Sequence, residues 1–148
     1  VLVKMKVAER RKVAGHTFTA ELTAEQCKAC GETYVDGADL EAFELAIARE
    51  LAQSGTSSGE AFRFMRKALG FTAVDLGDLL GVAAETISRW ETGQRDVDRG
   101  ALVAVGSLVL DRIEGRTATI DRLRAIREPL RLAKVVEVDV AGRGARSA

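Results

Sequence analysis

The sequence predicts an α+β fold: a small β-rich unit with one connecting helix, followed by an all-α domain. Three observations predict it. Val3, Met5 and Val7 alternate with Lys4, Lys6 and Ala8, and Phe18, Ala20 and Leu22 alternate with Thr17, Thr19 and Glu21, the period of half-buried strands. From Ala38 the period becomes helical, with Leu40, Phe43, Ile47 and Leu51 on one stripe. Beyond that, short apolar-periodic segments stop at Gly70, Gly81 and Gly93, the pattern of consecutive short helices.

Taken in order, Ala14-Gly15-His16 supplies the reversal that makes residues 2–22 a β-hairpin. Cys27-Lys28-Ala29-Cys30-Gly31 interrupts, and the strand-like Thr33-Tyr34-Val35 and an Asp36-Gly37 turn follow. The next helix carries Glu41, Glu44 and Glu50 off its apolar stripe and ends in Ser54-Gly55-Thr56-Ser57-Ser58-Gly59. Small residues between two patterned segments read as a linker, which divides the chain into residues 1–53, a linker at 54–59 and a domain at 60–129.

In that domain Phe62, Met65 and Leu69 mark one face of a first helix. Thr72 can cap a second through its hydroxyl, with Val74, Leu76, Leu79 and Leu80 as its apolar side. After Gly81-Val82 a third helix runs from about Ala84 through Glu91, with Ile87 and Trp90 facing inward and Glu85, Thr86, Ser88, Arg89 and Thr92 left outside. Two short helices joined by a Gly-containing turn, the second with a polar exposed face, make a helix-turn-helix whose second helix can enter the DNA major groove.

Leu102, Val105, Val109 and Ile113 form one stripe of the following helix, yet Val103, Leu108 and Leu110 lie off it. One face cannot bury them all, so helix 101–114 is predicted to serve a twofold partner and the chain to be a homodimer. Ile120, Leu123 and Ile126 mark another short helix before Pro129. In the last segment, 130–148, Val136, Val138 and Val140 alternate like a final strand, and residues 142–148 are expected to be disordered.

Composition narrows the function. With 47% apolar and 30% charged residues the chain is too apolar for a disordered one. Its most apolar stretch, residues 101–110, is far short of the ~20 residues that cross a bilayer, and residues 1–6 do not read as a secretory signal. The cytoplasm is the predicted compartment, with no membrane partner. Net charge is zero but segregated. Residues 21–60 hold nine acids against Lys28 and Arg49, whereas residues 116–134 carry Arg116, Arg122, Arg124, Arg127, Arg131 and Lys134 against Asp121 and Glu128. An acidic segment can keep a DNA-binding protein off random DNA or meet a basic partner. His16 is the single histidine, and there is no Ser/His/Asp set or Gly-rich phosphate loop, so no enzyme is expected.

Residues 62–95 resemble the Xre-type helix-turn-helix of phage repressors and antitoxins, a lambda-repressor-like fold, with Gly70, Leu76, Gly81, Ile87, Trp90, Glu91 and Gly93 in register. By position, the resemblance implies that Glu85, Thr86 and Arg89 face base edges, and that Thr72, Ala73, Ser88, Gln94 and Arg95 lie near phosphates. Arg89 can donate two hydrogen bonds to guanine, a contact worth ~1–3 kcal/mol of discrimination. Arg66 and Glu91 match a pair that joins the first helix to the end of the third, and Gly77 a small packing residue. The departure is Ala83, where the family usually has a capping Ser or Thr; its absence costs about 1 kcal/mol.

Cys27-x-x-Cys30-Gly31 has the shape of a zinc knuckle, in which the glycine permits the turn that aims N–H groups at thiolate sulfur. Zinc needs four ligands, and the chain otherwise offers only His16. A redox role would need the pair to open a helix in a βαβ unit, which residues 1–37 do not show. The order of hairpin, Cys-x-x-Cys-Gly, acidic helix, linker and helix-turn-helix is similar to the MqsA-like antitoxins over roughly residues 3–115. In that family the N-terminal unit is a zinc ribbon that binds the toxin, with another Cys-x-x-Cys about thirty residues before this one. Counted back from Cys27, that pair falls upstream of Val1. The sequence is therefore expected to start inside the ribbon, leaving Cys27 and Cys30 as a metal half-site. The resemblance implies a sequence-specific repressor that binds a palindromic operator in double-stranded DNA as a homodimer. It would be the antitoxin of a type II toxin-antitoxin system, autoregulating its operon and binding its toxin through the N-terminal unit. The alternatives are a stand-alone Xre-type regulator without a toxin, or a protein-interaction module in which the helix-turn-helix only dimerises.

Overall fold

The computed structural model describes residues 1–141, so the expectation for residues 142–148 lies outside the described residues. Strands β1 (Leu2–Val13) and β2 (His16–Cys27) pair antiparallel along their whole length, from Leu2 opposite Cys27 to Val13 opposite His16. Strand β3 (Thr33–Val35) adds to β2, giving the order β1-β2-β3. The turn between β1 and β2 is only Ala14 and Gly15, both at positive φ, the geometry that matches the twist of the flanking strands. The hairpin is longer than the alternation predicts, because β2 continues past Leu22. The cause is tertiary: Ala24 is fully buried, Ala24–Gln26 pair with β3, and the Thr23 N–H donates to Asp39 Oδ2 at 2.7 Å.

Helix α1 (Gly37–Ser54) starts at Asp36, whose carboxylate accepts from the N–H groups of Ala38 and Asp39. It is followed by α2 (Gly59–Ala68), α3 (Ala73–Leu80), α4 (Ala84–Glu91), α5 (Arg99–Glu114) and α6 (Ala118–Arg127). One core joins sheet and helices. It gathers Val13 and Leu22 from the sheet, Phe43, Ile47 and Leu51 from α1, Phe62 and Met65 from α2, and Leu76, Ile87, Trp90, Val105 and Val109 from the later helices. Each of the large side chains contributes about 1.5–3 kcal/mol on burial. Helix α1, expected before a linker, thus packs against α2 and α5 in the same core as the helices that follow. Residues 55–58 are a short connection. At its end α2 lies directly on the end of α4, for a Cβ on Gly59 would stand 2.0 Å from the Trp90 carbonyl oxygen.

Several expectations are corrected. Val74 is exposed, because α3 buries only Leu76 and Gly77. Ile126 is exposed as well, and α6 rests on α3 and α5 through the half-buried Ile120 and Leu123. Val136, Val138 and Val140 form no strand: residues 128–141 carry neither helix nor strand. Alternation alone supplies no partner for the backbone groups, and a strand exists only in a ladder. Among the described residues no helix is long and apolar enough to cross a membrane.

Candidate nucleic-acid interface

The site is built from the back of α4 outward. Ile87 is fully buried and Trp90 nearly so, and the Trp90 ring meets Phe62 of α2 edge-on with centroids 5.7 Å apart. At its last residue α4 is clamped again. Arg66 Nε and Nη2 each donate to a Glu91 carboxylate oxygen at 2.8 Å, while Arg66 Nη1 donates to the Phe71 carbonyl at 2.8 Å. The Glu91 carboxylate raises the pKa of the Arg66 guanidinium still further. The pair is structural, as the resemblance implies.

Helix α3 reaches α4 through a turn that leaves no spare room, since a Cβ on Gly77 would lie 2.6 Å from the Val82 carbonyl oxygen. Gly81 ends α3 in the left-handed conformation. Ala83 then opens α4 with no side-chain cap, so the departure seen in the sequence leaves one terminal N–H without that partner.

With that scaffold fixed, Glu85, Ser88 and Arg89 are exposed on α4. Glu85 and Arg89, one turn apart, are brought together as an ion pair of 3.8 Å, with side chains 84% and 49% exposed. Such a pair in water is worth under about 1 kcal/mol, so Arg89 is available to a stronger acceptor. Gln94 and Arg95 are exposed just beyond the helix, and the Arg95 N–H donates to the Arg89 carbonyl at 3.1 Å.

The remaining expected contacts have these surroundings. Thr86 is half-buried and lines a cleft with Leu80, Val82, Trp90, Arg95 and Leu123. The Thr72 hydroxyl accepts from the Asp75 N–H at 3.1 Å, and the Thr72 N–H donates to Asp75 Oδ2 at 3.2 Å. This capping box sets a carboxylate at the start of α3, beside the half-buried Ala73.

Cys27 and Cys30 sit on a knuckle closed by the Gly31 N–H donating to the Cys27 carbonyl at 2.8 Å. The Cys27 thiol pKa is lowered, first by the Cys30 backbone N–H and then by that of Ala29. No group of three or more His, Cys, Asp or Glu side chains suited to a metal occurs among the described residues. His16 cannot join the pair, because it begins the strand that Cys27 ends, about 36 Å away at strand rise. The residues present therefore fit two of four zinc ligands.

Two residues near the end of α5 that tie it to α6 and to the end of α2 escaped sequence reasoning. Asp111 Oδ2 accepts from the Thr119 N–H at 2.8 Å, supplying α6 with the cap that Thr117 does not give it, and Arg112 Nη2 donates to the Leu69 carbonyl at 3.3 Å. The available signal was an acid buried in an otherwise apolar stretch of α5.

A family model described as the antitoxin component of a bacterial toxin-antitoxin system, MqsA, matches residues 11–114. No curated protein and no solved structure matches the chain.

Proposed function

The chain belongs to the MqsA antitoxin family, and on that premise we propose that it is a DNA-binding antitoxin that represses its own operon. Helices α3 and α4 act as an Xre-type helix-turn-helix, with α4 in the major groove and Arg89 donating to a guanine. The observation that carries this reading is the exposure of Glu85 and Arg89 on a helix whose back and end are fixed by Ile87, Trp90 and the Arg66–Glu91 pair. Glu85 accepts from a cytosine amino group or discriminates against wrong sites. Ser88, Gln94 and Arg95 flank these residues as phosphate contacts, and the chain works in the cytoplasm without catalysis.

The dimer contact is α5, where Val103 is 69% exposed beside an apolar groove of about 250 Å³ lined by Leu51, Ala52, Leu102, Gly106 and Leu110. Twofold pairing presents two copies of α4 to a palindrome. The N-terminal sheet and acidic α1 bind the toxin, and Cys27 and Cys30 supply half of a zinc site. Binding to the DNA upstream of its own reading frame, measured by fluorescence anisotropy, tests the repressor reading. Affinity that does not exceed that for scrambled DNA rejects it. Co-purification with the product of the adjacent frame tests the toxin partner.

A further inference from the structure

We propose that the cleft between the hairpin turn and α2 binds a nucleoside polyphosphate. The cleft has a volume of about 390 Å³, within the range of small-molecule sites. Lys12 and the buried Val13 line it from the end of β1, and Glu60, Arg63, Phe64 and Lys67 line it from α2. Arg11 and Glu44 complete the wall, held to each other by an ion pair of 3.5 Å.

The cations converge on this cleft without a partner. Lys12, Arg63 and Lys67 are exposed, and among the described residues their side chains take part in no ion pair or hydrogen bond. Arg63 and Lys67 stand four apart on α2, where like charges repel. The packing of α2 on β1 then brings Lys12 to the same cleft and adds to the repulsion. An anion removes it, and three cationic side chains offer the donors that a chain of phosphates accepts from.

The other lining residues indicate what the phosphates are attached to. Glu60, Arg63, Phe64 and Lys67 recur at i, i+3, i+4 and i+7, so they share one face of α2 and span roughly 10 Å, the reach of an extended nucleotide. A carboxylate stands at one end, the ring in the middle, and the cations beside and beyond it. Inorganic phosphate would gain nothing from Phe64 and would be repelled by Glu60. A nucleotide uses all three features: its phosphates accept from Lys12, Arg63 and Lys67, its base lies against the Phe64 ring, and a base amino group donates to the Glu60 carboxylate. A nucleic-acid strand fits less well, because the Glu44 and Glu60 carboxylates interrupt the basic surface that a run of phosphates would follow. No residue of the cleft belongs to the exposed face of α4 or to the α5 groove, so binding here is independent of the proposed DNA and dimer contacts.

Isothermal titration calorimetry of the full chain with ATP and with GTP, without added divalent cation, tests the site. One nucleotide per chain is expected, bound about 10-fold more tightly than tripolyphosphate, which lacks the base. Arg63→Ala/Lys67→Ala is expected to weaken the nucleotide by about 10-fold or more with unchanged circular dichroism, and Lys12→Gln, on the opposite wall, to weaken it in the same direction. Phe64→Leu keeps an apolar side chain and is expected to bring nucleotide affinity down to that of tripolyphosphate. Arg89→Ala is expected to leave nucleotide binding as it was. The absence of saturable binding of either nucleotide overturns the proposal, as does binding that survives both sets of basic substitutions. Equal affinity for tripolyphosphate overturns it by reducing the cleft to a simple anion site, and loss of binding in Arg89→Ala overturns it by moving the nucleotide to α4.

Discussion

Arg66 of α2 and Glu91 at the end of α4 form a two-pronged ion pair, both bonds 2.8 Å, with side chains only 11% and 7% exposed. The third Arg66 donor holds the Phe71 carbonyl, so one guanidinium ties α2, the α2–α3 connection and α4 together. Removing either partner leaves a largely buried charge. Arg66→Met or Glu91→Gln is therefore expected to lower stability by about 3 kcal/mol, read as a fall in the urea midpoint. An unchanged midpoint would show the pair to be incidental.

Arg89 makes no contact that the fold needs, and its Glu85 partner is mostly solvated. Arg89→Ala is expected to keep the native circular dichroism and urea midpoint while losing about 10- to 100-fold in operator affinity. Affinity that survives the substitution would leave the helix-turn-helix as a dimerisation element.

Ala83 begins α4 in extended geometry, at φ −68° and ψ 149°, with no hydrogen bond to the helix from its side chain. A hydroxyl at that position can accept from one of the free N–H groups of the first turn. Ala83→Ser should stabilise the protein by about 1 kcal/mol, a rise in Tm of roughly 2–4 °C. A Tm at or below that of the parent would count against the capping argument.

Acid should loosen two tethers. The Asp39 carboxylate is held below its usual range first by the Thr23 N–H, and the Asp111 carboxylate first by the Thr119 N–H. Each folded pKa is thus below the unfolded one. The stability they provide is complete above the unfolded value of about 3.9 and is lost as pH falls through the folded value. Thermal unfolding should show Tm falling below about pH 4. Asp39→Asn/Asp111→Asn should have a lower neutral Tm and a shallower acid slope, and an equally steep slope would assign the acid loss to other carboxylates.

Much of the candidate site was legible. Ile87 and Trp90, three residues apart, had to face one way, and the register of glycines placed the turns that Gly81 makes. The half-burial of Thr86 was not legible, because the cleft it lines is shared with Leu123 of α6, which lies far along the chain. The capping role of Thr72 was legible, whereas the return bond from its N–H to the Asp75 carboxylate was not.

What the sequence determined by itself was local: the hairpin start, the order of helices, the capping residues and the inward pair on α4. These follow from side-chain period and from groups a few residues apart. Tertiary structure decided that β2 runs on to Cys27, that α1 shares the core of α2 and α5, and that residues 136–140 are no strand within the chain. Each depends on what a distant segment offers: Asp39 to the Thr23 N–H, Leu51 to its neighbours on α5, and, among the described residues, no strand that pairs with the last valines. Periodicity reports which face a residue takes, but burial and hydrogen bonding need a second surface, and that surface is encoded elsewhere in the chain.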